Sequence, residues 1–298
     1  MTKLNGTDGF RINGTKTYVP GVYSTHWFGC EVAIGHKFSA PNYDDIFVAN
    51  AISGPFSSIA PDKPQAPPTI RIAYRYAGSD KPRPPIVSSP DTVYTKEWSP
   101  PIQSSTKPQI EIVDLNGDGK PDLAIGLGNK NEPGEVHVVF GKQGGSIPPV
   151  VSLSNLDGKN GTTLVTGKEK ADGFGFALAS GDFNRDGISD LMISAPFTNP
   201  PTVYAYFGSQ KPFPAQVNLS QLKEGEVSKI EGMPDIFGVF GSRLYSGTLR
   251  EEDGNAQSLA IGHTGVPLPE SSRAAEYEGP HKNAEDVISS AFISEIIL

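Results

Sequence analysis

Apolar residues in this chain come in short bursts separated by turns, and the bursts repeat. Ile70-Arg-Ile-Ala-Tyr74, Leu123-Ala-Ile125, Val136-His-Val-Val-Phe140, Leu191-Met-Ile193, Val203-Tyr-Ala-Tyr206-Phe207 and Leu259-Ala-Ile261 are too short for amphipathic helices and are bounded by turn residues. Such runs read as short buried strands. Equivalent strands recur about every 65 residues after a longer first step, with about four short strands per unit. The units run over roughly 9–100, 101–165, 166–232 and 233–282, inside one all-β body at 1–282. A connecting segment recurs as well: Leu153-Ser-Asn-Leu156-Asp-Gly158, Leu219-Ser-Gln-Leu222 and, at the N-terminus, Leu4-Asn-Gly6 through Gly14. A four-stranded unit cannot bury both faces alone, and units packed radially make a β-propeller. Helical spacing occurs in the tail 283–298. There Ala284, Val287, Ile288, Ala291 and Phe292 follow Asn283 as a cap, which predicts a short C-terminal helix.

Two nine-residue loops interrupt this pattern with oxygen side chains. One reads Asp114-Leu-Asn116-Gly-Asp118-Gly119-Lys120-Pro-Asp122, the other Asp182-Phe-Asn184-Arg-Asp186-Gly187-Ile188-Ser-Asp190. Oxygens at positions 1, 3, 5 and 9, a glycine at position 6 and a free carbonyl at position 7 (Lys120 or Ile188) suit a hard cation, and calcium above magnesium. An EF-hand would need a glutamate at position 12, where Ile125 and Ile193 stand. Two calcium sites are expected; an Asx-rich turn without metal is the alternative.

Around the second loop stand Phe174-Gly175 before it and Ser194-Ala195-Pro196 after it. Phe-Gly, the Asp-x-Asn-x-Asp-Gly-x-x-Asp loop, and Ser-Ala-Pro in place of Gly-Ala-Pro resemble the FG-GAP repeat of integrin α N-terminal propellers. The third unit matches over its length. The second matches from its loop onward, with Lys107-Pro108 where Phe-Gly would stand. The first (Phe28-Gly29, Asp45-Ile46-Phe-Val48) and the fourth (opening at Phe237-Gly238, with Arg243-Leu244-Tyr245) match in outline. The resemblance implies calcium on the two loops through the residues named above. It does not extend the sites to the first unit, with His36-Lys-Phe-Ser-Ala-Pro in the loop, or to the fourth, with Thr248-Leu-Arg250-Glu-Glu-Asp253-Gly254. The family closes seven blades and four are visible here. Either the ends close a small ring, Gly9-Phe10-Arg-Ile12-Asn13 serving as fourth strand beside Ala274–Gly279, or the chain belongs to a larger propeller or pairs with another copy.

Composition narrows the function. The 33 glycines and 27 prolines meet the demand of many tight turns, and the Pro- and Ser-rich stretches 55–69 and 79–108 are expected as long loops of the first blade. A net charge of −8 without a basic run argues against nucleic acid. No apolar run reaches membrane-spanning length, and Met1-Thr-Lys-Leu-Asn lacks a signal-peptide core. The single Cys30 excludes an intrachain disulfide and is expected as an inert, buried thiol. The five histidines form no close ligand pair, His26 beside Trp27 reads as packing, and alternation points His137 away from the side of Val136 and Val138. No GxSxG, P-loop or dinucleotide motif occurs, so catalysis is not expected from any motif. Tyr74, Tyr76, Tyr204, Tyr206 and Phe207 alternate within strands and are expected between blades. The expected function is a calcium-stabilised extracellular or cell-surface recognition and adhesion module for a protein or glycan. A propeller lectin and an accessory domain of an enzyme or secreted effector are the alternatives.

Overall fold

The computed structural model describes residues 10–14, 27–40, 42–51, 69–81, 83–84, 86–97, 106–141, 147–167, 171–223, 225–232, 238–247 and 257–265. The expected C-terminal helix, the strand at 274–279, His26 and the loop 55–68 lie outside the described residues.

A short strand β1 (Arg11–Ile12) precedes the first blade. That blade holds β2 (Trp27–Ala40), β3 (Tyr43–Ala51), β4 (Thr69–Tyr76), the two-residue β5 (Ile86–Val87) and β6 (Thr92–Glu97). Blade 2 holds β7 (Gln109–Val113), β8 (Asp122–Gly126), β9 (Val136–Val139), β10 (Val150–Ser152) and β11 (Gly161–Val165). Blade 3 holds β12 (Leu178–Gly181), β13 (Asp190–Ala195), β14 (Thr202–Tyr206), β15 (Gln216–Asn218) and β16 (Val227–Glu231). β17 (Gly238–Gly247) and β18 (Ser258–Gly265) pair as the start of blade 4. The described helical turns are short 3-10 turns at Leu153–Asn155 and Leu219–Gln221.

In blades 1 to 3 four strands form an antiparallel meander, ordered β2-β3-β4-β6, β7-β8-β9-β11 and β12-β13-β14-β16. The short strand in each third-to-fourth connection leaves its own blade. β10 pairs in parallel with β6 of blade 1, and β15 with β11 of blade 2. These are the recurring connecting segments of the sequence, and they fasten each blade to the outer edge of the one before. The parallel partner also covers an edge that would otherwise present unpaired amides.

Apolar faces meet between blades. Phe47, Ile72 and Tyr94 of blade 1 pack with Ile110, Leu123 and Ile125 of blade 2. Val136, Val138 and Leu164 of blade 2 pack with Leu191, Ile193 and Tyr204 of blade 3, and Met192 and Val203 pack with Leu244 and Ile261 of blade 4. β8 and β13 are buried along their whole length, as their apolar runs predict. Removing each large side chain of this kind from water contributes about 1.5–3 kcal/mol. The described residues thus form propeller-type blades, without ring closure among them.

The strand register corrects two expectations. Phe28-Gly29 and Phe174-Gly175 stand four residues before Val32 and Leu178, and Phe240-Gly241 has the same relation to Leu244, with φ of +80, +87 and +77 at the glycines. The Phe-Gly of the fourth unit is therefore Phe240-Gly241, not Phe237-Gly238. The stretch 79–108 is not all loop, because it contains β5 and β6, the outer strand of blade 1. Cys30 is half-buried against the first interface core, and burial pushes its thiol pKa up, as expected of an inert thiol.

Candidate metal loops

Each acidic loop joins the first and second strands of its blade. Asp114, Asn116, Asp118 and Lys120 lie between β7 and β8, and Asp122 opens β8; Asp182, Asn184, Asp186 and Ile188 lie between β12 and β13, and Asp190 opens β13. The two loops share one backbone path. Positions 4 and 6 are left-handed in both, at Gly117 (φ 63) and Gly119 (φ 77), and at Arg185 (φ 62) and Gly187 (φ 87). A non-glycine residue in that region shows that the turn is imposed by the bonds around it.

Those bonds are also equivalent. Asp114 accepts from the amides of Asp118 (3.1 Å) and Gly119 (2.9 Å), and Asp182 accepts from those of Asp186 (3.1 Å) and Gly187 (2.9 Å). The Asp118 carboxylate accepts from the Lys120 amide, and that of Asp186 from the Ile188 amide. The loops lie side by side: a Cβ on Gly117 would sit 3.1 Å from the Ile188 side chain, and Gln210 Nε2 donates to Gly117 O at 3.2 Å.

The ninth positions differ from the rest because they are fully buried. Asp122 accepts from Leu115 N (3.0 Å) and Gly141 N (2.9 Å), and Asp190 from Phe183 N (2.8 Å) and Gly208 N (3.0 Å). Each aspartate therefore ties the loop to the glycine two residues past the end of the third strand. Burial, reinforced by Asp114 and Asp118, pushes the Asp122 pKa up to about 7 against the pull of its amide donors. Burial, reinforced by Asp186, pushes that of Asp190 up to about 6. A cation beside either carboxylate would relieve both the desolvation and the repulsion.

The donor set fits calcium: carboxylate, amide and carbonyl oxygens only, on a loop bent at two left-handed positions. Among the described residues no three His, Cys, Asp or Glu side chains converge on one point as a ready cage. The residues that would hold the ion are the same that now accept backbone amides, and every carboxylate retains further lone pairs. In the first loop Lys120 Nζ also contacts Asp118 Oδ2 at 3.2 Å, while in the second Asn184 Nδ2 donates to Asp186 Oδ2 at 3.0 Å.

Blade 1 holds a residue that the sequence reading left out of the site. Asp45 aligns with Asp122 and Asp190 through the strand register, and Gly78 N donates to its Oδ1 at 2.8 Å as Gly141 and Gly208 donate to theirs. Its other oxygen contacts Arg75 NH1 at 3.1 Å. The Asp-Ile-Phe-Val run was a signal for this alignment; nothing in the sequence marked Arg75 as the partner.

His137 does point away from Val136 and Val138. It contacts Thr163 Oγ1 at 3.0 Å through Nδ1, and its Nε2 lies 3.3 Å from Glu135 Oε2, an ion-pair distance off the line of a good hydrogen bond. Tyr204 and Tyr206 pack between blades 2 and 3, as expected of them.

The FG-GAP repeat family matches residues 109–139 and 174–209, the segments that carry β7 to β9 and the second loop with its flanks. Mouse phosphatidylinositol-glycan-specific phospholipase D is 34% identical over 146 residues, 45% of this chain and 16% of its own length. Human integrin alpha-7 is 33% identical over 161 residues, 51% of this chain and 12% of its own. Integrin alpha-3 of Cricetulus griseus is 32% identical over 159 residues, 51% of this chain and 13% of its own. The chain thus spans well under a fifth of these relatives. No helix among the described residues is long and apolar enough to cross a membrane. The chain thus carries FG-GAP repeats at 109–139 and 174–209, and over about half its length it is similar to integrin α chains and to phosphatidylinositol-glycan-specific phospholipase D.

Proposed function

We propose that this chain is a calcium-stabilised recognition module, working outside the cell or at its surface and binding a protein or glycan through its blade loops. The observation that carries the calcium part is the pair of congruent acidic loops, each ending on a buried aspartate that has no cationic side chain beside it among the described residues. Asp114, Asn116, Asp118, Asp122 and the Lys120 carbonyl would hold one ion; Asp182, Asn184, Asp186, Asp190 and the Ile188 carbonyl would hold the other. The ion would pin the turn between first and second strands. Loops of this openness suit the calcium levels found outside cells. The metal edge is then structural, and recognition falls to the loops at the opposite edge.

Homology to integrin α supports adhesion or recognition as the use of such a scaffold. Homology to a phospholipase D favours a second reading: the matched part makes up only 12–16% of that relative's length, so the repeats could serve as an accessory domain to an enzyme.

Thermal unfolding with calcium and after chelation tests the first step. A calcium-dependent rise in midpoint that disappears in Asp118→Ala plus Asp186→Ala is expected. No rise, with no calcium found by elemental analysis, would reduce the loops to Asx turns. A glycan-array signal would identify a lectin, and co-purification with one enzyme would identify an accessory domain.

A further inference from the structure

The repeat makes one contact at the interface of blades 1 and 2 and at that of blades 2 and 3, and each end of the array holds half of it. Ser180 Oγ of blade 3 donates to Glu111 Oε1 of blade 2 at 2.7 Å. At the interface before, the equivalent residues Ile112 and Ala33 both pack into the core. The strand register assigns the place of Ser180 and Ile112 to Ile34 in blade 1, and the place of Glu111 and Ala33 to Tyr245 in blade 4. Ile34 is 55% exposed and Tyr245 64%.

Neighbouring positions agree. Ile110, Leu178 and Leu244 are 6%, 7% and 5% exposed, each covered by the preceding blade, whereas Val32 at the same place in blade 1 is 55% exposed. A Cβ on Gly175 would lie 3.0 Å from Val136 of blade 2, and one on Gly241 3.0 Å from Ser194 of blade 3; Gly29 has nothing within 4 Å. Blade 1 presents a face shaped for a blade in front of it.

The outer strand of such a blade is already in place. β1 pairs in parallel with β5, as β6 does with β10 and β11 with β15. A Cβ on Gly14, just after β1, would lie 2.7 Å from Phe28, and one on Gly232, just after β16, 2.6 Å from Phe240. β1 therefore stands to blade 1 as β16 stands to blade 4. Phe10 and Ile12 pack on Val48, Tyr74 and Tyr76 of the same open face. Blade 4, for its part, has its two inner strands described and no outer strand among the described residues.

We propose that β17, β18 and β1 are parts of one blade, so that the chain closes on itself as a four-bladed ring with Tyr245 seated on Ile34. A second copy offers the same face, but a partner held on the same chain meets it at a far higher effective concentration. Closure also covers two apolar surfaces and two sheet edges at once.

The test uses the full chain carrying Cys30→Ala, Ile34→Cys and Tyr245→Cys, treated with a short bis-maleimide at low micromolar concentration. The expected product has the mass of one chain, with a 34–245 linked peptide. Linkage between two chains, or two thiols left unlinked, would overturn closure within the chain. A second measurement does not depend on the cysteines. Ile34→Glu is expected to lower the thermal midpoint by about 5 °C, while Val150→Glu on β10 moves it by about 1 °C or less. Val150 is 59% exposed, so it matches Ile34 in exposure and in apolar, β-branched character, without the proposed partner. Equal midpoints for the two variants would also overturn the proposal.

Discussion

Asp45 in blade 1 and Asp122 and Asp190 in blades 2 and 3 stand at the same place in the repeat, and all three are fully buried. Each holds the amide of the glycine two residues past the third strand, at 2.8, 2.9 and 3.0 Å. They differ in what faces the remaining charge. Asp45 has Arg75, whose guanidinium also donates to Thr92 Oγ1 from Nε (3.2 Å) and NH2 (3.0 Å). The register puts Val138 and Ala205 where Arg75 stands. A carboxylate withdrawn from water needs a counter-charge or loses its own. Where the chain supplies a guanidinium, the segment His36-Lys-Phe-Ser-Ala40, expected as a loop, is the end of strand β2; where it supplies an apolar side chain, a true loop stands there, acidic and fit for a cation. With the proposed calcium bound, the acidic loop and the arginine would be two answers to one buried charge.

The largest effect should come from removing the internal cation. Arg75→Met would leave Asp45 buried and unpaired, with an expected loss of about 3–5 kcal/mol in denaturant unfolding. That loss should be the same with calcium and with chelator, because no acidic loop adjoins Asp45. Adding Asp45→Asn to the variant should restore part of it. A calcium-dependent loss would break the comparison. Calcium itself should come next: at free calcium one hundred times the dissociation constant, each site should contribute about 2.7 kcal/mol. Removing Asp186 should abolish one site and leave the other, which isothermal titration reads as a change in stoichiometry from two to one.

This contrast shows how far the sequence could be read. The Asp-x-Asn-x-Asp-Gly loops and the strands after them were legible because their spacing is local: nine residues fix the turn, and three apolar residues fix a buried strand. β6 was not legible, since Thr92-Val-Tyr-Thr-Lys-Glu97 is polar at four of its six positions and owes its place to β4 on one side and β10 on the other. Arg75 was invisible for the same reason. Its meaning depends on Asp45, thirty residues away, and on a cross-strand register that no local pattern specifies. The Phe-Gly of blade 4 was misplaced by three residues because Phe237-Gly238 and Phe240-Gly241 are equivalent as text, and only the pairing of Leu244 with Ile261 separates them.

A second cation supplied by blade 1 gives a pH test. Lys96 Nζ contacts Glu135 Oε1 at 2.7 Å across the first interface, with His137 against the other oxygen. Burial alone would raise the Glu135 pKa, but His137 and Lys96 hold it down to about 2. Burial depresses the His137 pKa below its ordinary 6.5, outweighing the favourable Glu135 and adding to the repulsion of Lys96. The unfolded chain therefore takes up a proton on the histidine first, and stability should fall as pH drops below about 6.5. The glutamate adds stability above its ordinary 4.5, which should be lost as pH falls from there toward 2. His137→Gln should remove the upper step and shrink the lower one, since Lys96 alone then holds Glu135 down, in unfolding followed from pH 7.5 to 3. An unchanged upper step would assign it to other groups.

The smallest effect expected is the most direct check on what counts as a counter-charge. Lys120 Nζ is a cation within 3.2 Å of the first loop's Asp118, and by distance alone it rivals Arg75. Exposure separates them: the Lys120 and Asp118 side chains are 30% and 35% exposed, those of Arg75 and Asp45 6% and 0%. Water and salt screen the former pair, so Lys120→Ala should cost about 0.5 kcal/mol or less. The ammonium also competes with an incoming ion for Asp118, whereas the backbone carbonyl that would ligate survives the substitution. Calcium should thus bind the first loop at least as tightly in Lys120→Ala, and the second loop, where Ile188 holds the same place, should be unaffected. If the substitution instead cost as much as Arg75→Met, Lys120 would be the internal partner of that loop, and blade 2 would belong with blade 1.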